Sequence, residues 1–112
     1  MNIDFIKWMV GYAEGFDIRI WTSGTYEIVT NDRVYNRGNS AYKTLVYPLL
    51  LQRAIEGVND SEKYRWKAPI LQNRGYVEVV NRKDVIVGGT DAETYDQAKE
   101  QALKYIYEQE TK

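Results

Sequence analysis

Cysteine and histidine are both missing from this 112-residue sequence, and the two absences remove much of enzyme and metal chemistry at once. Without cysteine there is no disulfide framework, no thiol nucleophile and no thiolate-held metal. Without histidine the commonest general acid–base group and the commonest transition-metal ligand are gone. A long apolar run is lacking as well. The opening "MNIDFIKWMVGYAEGF" carries Asp4 and a single early cation, Lys7, and reads as neither a secretion signal nor a membrane span. A reduced, cytoplasmic setting without a membrane partner is the default expectation. A net charge of −1 supplies no whole-molecule field to attract DNA, acidic lipid or an acidic substrate.

What is present suits a soluble globular chain. Hydrophobic residues make up 44% and charged residues 28%, which is the balance of one folded domain over residues 1–112. A chain of this length buries about two-thirds of the surface it exposes when unfolded. Ten tyrosines and three tryptophans are the unusual feature. Such rings combine large contact area with a polar handle, and they serve cores and recognition surfaces equally well.

Apolar residues at Ile3, Ile6, Met9, Val10 and Ala13 recur at helical spacing and predict a helix over roughly 2–14, stopped by Gly15. "FDIRIWTSGTYEIVTN" reads as a hairpin turning at Ser23-Gly24. The polar "NDRVYNRGNS" is a loop or a continuation of that hairpin. "AYKTLVYPLLLQRAIEG" is helical, with Asn39 or Ser40 as its cap and Gly57-Val58 as its stop. Pro48 within it either kinks the helix or marks the first turn of one that starts late. "KYRWKAPILQ", "GYVEVV" and "VIVGG" read as strands, the last two joined by "NRKD", with Pro69 placing its own strand at an edge. The capping signatures Thr90-x-x-Glu93 and Thr94-x-x-Gln97 open a final helix, along which Tyr95, Ala98, Ala102, Leu103 and Ile106 form one helical face through about residue 108. The expectation is an α+β domain in α-β-β-α-β-β-β-α order, an antiparallel sheet packed with three helices.

Four groups of residues were weighed for chemistry. In "KYRWK", Tyr64 and Trp66 alternate with Lys63, Arg65 and Lys67. As a strand this puts rings on one face and cations on the other; as a nucleic-acid strip the rings would stack bases and the cations follow phosphates. From Lys63 to Lys83 six cations, including Arg74 and Arg82, face one acid, Glu78. No nucleic-acid motif accompanies them, so the strand reading is preferred and a nucleic-acid module using Lys63, Tyr64, Arg65, Trp66, Lys67, Arg74, Arg82 and Lys83 is the alternative. "VGGTDAET" sets glycines before a helix N-terminus, but Asp91, Glu93 and Asp96 would repel a phosphate. Asp96 and Glu100 share a helical face with Glu93 a turn earlier, without the full ligand set a metal site needs; no metal or cofactor is expected. Tyrosine, lysine and carboxylate groups work as acids or bases only when buried and tuned, and no spacing picks out such a set, so a small enzyme is the least favoured reading.

The strands offer a surface instead. Ile18 and Ile20 share one face and leave Arg19 and Trp21 on the other, while Val77 and Val79 lie opposite Tyr76, Glu78 and Val80. Tyrosine, tryptophan and arginine are the favoured residues of protein contacts, so Arg19, Trp21 and Tyr76, extended by Trp8 and Tyr12, form a candidate site for a protein partner or a homodimer.

Four stretches in order carry a resemblance: "FIKWMVGYAEGF", "YPLLLQRAIEGVN", "NRGYVEVVN" and "TYDQAKEQALKYIYEQE". The chain resembles small bacteriophage and prophage proteins of unknown function that are described as α-β-α sandwich domains. The resemblance implies a phage origin and the host cytoplasm, and brings no catalytic or ligand-binding residue. The polar "NDRVYNRGNS" departs from that pattern and leaves the strand pairing open.

Overall fold

In the computed structural model, residues 3–61, 64–67, 75–81 and 86–111 are described. The chain runs α1 (Ile3–Tyr12), β1 (Phe16–Ile20), β2 (Tyr26–Thr30), β3 (Arg33–Asn36), a π-helical segment (Tyr42–Val46), α2 (Tyr47–Asp60), β4 (Tyr64–Lys67), β5 (Gly75–Asn81), β6 (Ile86–Ala92) and α3 (Tyr95–Glu110). The α+β class is as the sequence predicts, and the element order agrees with the prediction but for an added third strand before α2. The strands divide into two three-stranded antiparallel sheets, β1-β2-β3 and β4-β5-β6. Pro69 and the "NRKD" turn beyond Asn81 lie outside the described residues.

The first sheet gains its third strand from "NDRVYNRGNS". Asn31 and Asp32 both take positive φ, 51° and 60°, between the paired residues Thr30 and Arg33. A two-residue turn with that backbone matches the right-handed twist of the flanking strands and reverses the chain tightly. The β1–β2 turn works differently. Gly24 sits at φ 87° and donates its N–H to the Trp21 carbonyl, while Trp21 N–H closes on Thr25 O.

Pro48 opens α2 in its first turn, and the π-helical segment before it explains how. Proline has no N–H to give to the preceding turn. The wider π turn carries the chain into α2 instead, with Tyr47 N–H bonded to the carbonyl of Tyr42, five residues back. Asn39 caps the entry, its Oδ1 accepting from Ala41 N–H at 2.8 Å. Thr94 caps α3 as expected and accepts from Gln97 N–H at 3.1 Å; Thr90 belongs to β6.

Gly57 is a correction. It does not end α2, which continues to Asp60. A Cβ at Gly57 would fall on the backbone carbonyl oxygen of Tyr12, so glycine is there to let α1 and α2 cross closely. Val80 is buried on a face expected to be mixed. Strict alternation puts it opposite Val77 and Val79, yet all three are buried. The β4–β5 register runs unbroken through Val79 and Val80, and Val80 is absent from the core cluster that holds Val77 and Val79. Val80 therefore keeps the opposite face, as alternation predicts, and is covered there. The irregularity between Val79 and Val80, whose partners are Gly88 and Ile86, puts the extra residue on β6.

The core draws on both sheets and all three described helices. Ile6 and Met9 of α1, Ile28 of β2, Leu50, Leu51 and Val58 of α2, Val77 and Val79 of β5, and Leu103 and Ile106 of α3 are almost wholly buried in it. No helix among the described residues is long and apolar enough to cross a membrane.

Candidate recognition surface

The aromatic residues separate into two regions. The first is the seam between α1 and α3. Trp8 and Tyr12 lie one helical turn apart, as their spacing requires, and both are half-buried. Trp8 Nε1 donates to Glu110 Oε2 and Tyr12 Oη to Glu110 Oε1, each at 2.7 Å. Trp8 packs edge-on to Tyr107, with ring centroids 5.7 Å apart, and stacks near Phe5 at 6.2 Å. These rings hold the last turn of the chain to the first helix. They do not extend the sheet surface, and that part of the expected patch is corrected.

The second region is the outer side and turn end of the first sheet. Arg19 is exposed and pairs in register with Glu27. Trp21 lies just beyond β1 and is 53% exposed, with its Nε1 donating to Glu27 Oε1 at 2.8 Å. That bond holds the indole in one orientation on the surface. Ile20 and Val34 are exposed nearby, although Ile20 shares its face with half-buried Ile18. At the turn end the core reaches under β2, where Tyr26 is buried, but not under its partner Ile20 at the end of β1. Tyr76 belongs to β5, in the other sheet, so the expected set Arg19, Trp21 and Tyr76 is divided between two sheets.

"KYRWK" is a strand over its described part. Tyr64 to Lys67 pair with Asn81 to Glu78 of β5, and Trp66 is half-buried against the core. Its Nε1 is a buried donor without a partner among the described residues. Lys63, Arg74, Arg82 and Lys83, four of the basic residues in the nucleic-acid alternative, lie outside the described residues. Of the α3 acids, Asp96 is 3.9 Å from Lys99 Nζ.

Sequence reasoning missed a cleft between the first sheet and the π-helical segment. It has a volume of about 590 Å³ and is lined by Thr25, Tyr26, Arg37, Gly38, Tyr42, Lys43 and Tyr47. Tyr26 and Tyr42 are buried, with their hydroxyls 3.1 Å apart. Burial and the hydrogen bond to Tyr26 push the Tyr42 phenol well above the usual tyrosine range. Burial, then the Glu100 carboxylate, do the same to Tyr47, whose hydroxyl is enclosed beside Glu100 without the geometry of a hydrogen bond. Phenols held this firmly protonated do not accept protons near neutral pH. Beside the cleft is a second depression of about 320 Å³, lined by Trp21, Glu27 and Asn36 and sharing Thr25, Tyr26, Arg37 and Gly38 with the first. The one sequence signal for this site was the clustering of tyrosines around Pro48, where a helix interrupted by proline marks an irregular turn.

No known protein family, curated protein or solved structure compared with the chain matches it.

Proposed function

We propose that the chain is a non-enzymatic recognition protein that self-associates through the outer face of β1-β2-β3, centred on Trp21. The observation that carries this is a half-exposed indole fixed by Glu27 on the sheet face that also carries exposed Arg19 and Val34. Fixing a large ring before contact lowers the ordering cost of binding, and tryptophan and arginine dominate the energetics of protein contacts. A second copy is the favoured occupant because Asp17, Arg19 and Glu27 alternate in sign on the exposed strands. A two-fold contact needs one patch that complements itself, and alternating charge supplies that. A phage origin and a site of action in the host cytoplasm fit the same reading.

The test is the solution mass by light scattering over a range of protein concentrations and at two salt concentrations. A concentration-dependent dimer supports the proposal. A monomer throughout, gaining mass only with a short single-stranded oligonucleotide at low salt, would transfer the function to nucleic acid.

A further inference from the structure

The cleft beneath Arg37 and Lys43 brings tyrosines and cations together. Tyr47, half-buried, and the small exposed parts of Tyr26 and Tyr42 line it, and the charged residues lining it among those described, Arg37 and Lys43, are both cations. Arg37 lies over the Tyr26 ring, its guanidinium carbon 5.7 Å from the ring centroid. A guanidinium stacked on a ring keeps its forked N–H edge free for an oxyanion. Neither Arg37 nor Lys43 is ion-paired with an acid among the described residues. The tyrosine hydroxyls are buried, Tyr26 and Tyr42 against each other and Tyr47 beside Glu100.

The cleft is also held in shape before any ligand arrives. Asn36 Oδ1 accepts from Gly38 N–H at 3.0 Å, and Asn39 Oδ1 accepts from Ala41 N–H at 2.8 Å. These bonds fix the loop that carries Arg37, and the π-helical segment fixes Lys43. Single π turns of this kind recur at functional sites. A volume of about 590 Å³ is within the range of small-molecule sites, which are mostly apolar with a few placed polar groups.

We infer that this cleft binds a small organic anion, a flat apolar body carrying a phosphate or carboxylate. The body lies chiefly against half-buried Tyr47, with the small exposed parts of Tyr26 and Tyr42 beside it, where aromatic contact is favourable. The anionic group meets Arg37 and Lys43, which gain a charge-assisted partner. Trp21 is not among its lining residues, although the depression that Trp21 lines adjoins it and shares Thr25, Tyr26, Arg37 and Gly38.

Phenyl phosphate and benzoate are the probes, with benzyl alcohol as the neutral control and inorganic phosphate as the control without a ring. Binding is followed through backbone amide shifts in NMR titrations of the full chain, in wild type and in Trp21→Ala. Saturable shifts at Thr25, Gly38 and Lys43 with either anion are expected, at least tenfold tighter than for benzyl alcohol or inorganic phosphate. The tighter of the two anions identifies the head group. Arg37→Gln should weaken binding about tenfold, while Arg19→Gln, on the neighbouring sheet face, leaves it unchanged. Equal binding of the neutral control, shifts outside the cleft, or indifference to Arg37→Gln would overturn the site. Because Trp21→Ala should retain the binding, failure here and failure of self-association are separate results.

Discussion

The α1–α3 seam and the turn end of the first sheet use the same residue types for opposite ends. In each, an indole N–H is held by a glutamate: Trp8 by Glu110 and Trp21 by Glu27. Glu110 also takes the Tyr12 hydroxyl, and Tyr107 and Phe5 close over Trp8, so that seam is finished internally. Trp21 is half-exposed on the face that carries Val34, and the adjoining cleft presents two cations that no acid among the described residues pairs. An aromatic side chain becomes structure when its surroundings supply both a polar partner and neighbours to cover it. It remains a recognition element when only the partner is supplied.

The comparison is broken most severely from the seam side. Gly57→Ala would place a methyl group on the Tyr12 carbonyl oxygen, forcing α1 away from α2. A loss of about 3 kcal/mol is expected from such overpacking, read as a lower urea midpoint at an unchanged slope. Glu110→Ala removes the acceptor of both Trp8 and Tyr12 and should cost roughly 2 kcal/mol, as hydrogen bonds to a charged group do. Self-association should survive Glu110→Ala at concentrations where the fold is intact.

Alkaline pH acts on the other region. Near neutrality the tyrosines are protonated in both folded and unfolded chains, and Tyr42 and Tyr47 leave stability independent of pH. Above about pH 10 an ordinary tyrosine ionises in the unfolded chain. Tyr42 and Tyr47 keep their protons in the fold, so the unfolded state binds fewer protons and stability falls as pH rises. The fall reaches at most about 1.4 kcal/mol per pH unit for each tyrosine. Urea midpoints between pH 9 and 11 should show it, and Tyr42→Phe with Tyr47→Phe should flatten the slope. An unchanged slope in the double variant would mean that other groups cause the alkaline loss.

Local chemistry carried much of the fold into the sequence. The helical spacing of Ile6, Met9 and Val10, the turn glycine Gly24 and the Thr94 cap are readable because each acts through neighbours within a few residues. Gly57 was misread because a glycine that stops a helix and one that lets another helix approach look alike until the partner backbone is known. The face of Val80 was legible from alternation, but its burial was not, because alternation says nothing of what covers the second face. The Asn31-Asp32 turn was visible as a polar pair, though without the glycine that usually announces it. The site was less legible. Trp8, Tyr12 and Trp21 were grouped on residue type, and what separates them is Glu110, 98 residues from Tyr12. The cleft joins residues from β2, the loop after β3 and the π-helical segment, and no spacing along the chain signals that meeting.

The most direct measurement is a paired one: sedimentation equilibrium and urea unfolding of Trp21→Ala beside Trp8→Ala. The account expects Trp21→Ala to stay within about 0.5 kcal/mol of wild-type stability, as exposed substitutions do, while losing the dimer. Trp8→Ala should lose about 3 kcal/mol, as truncation of a packed aromatic does, and keep the dimer wherever it is folded. A Trp21→Ala protein that still dimerises, or one that simply unfolds, would contradict the assignment of Trp21 to recognition.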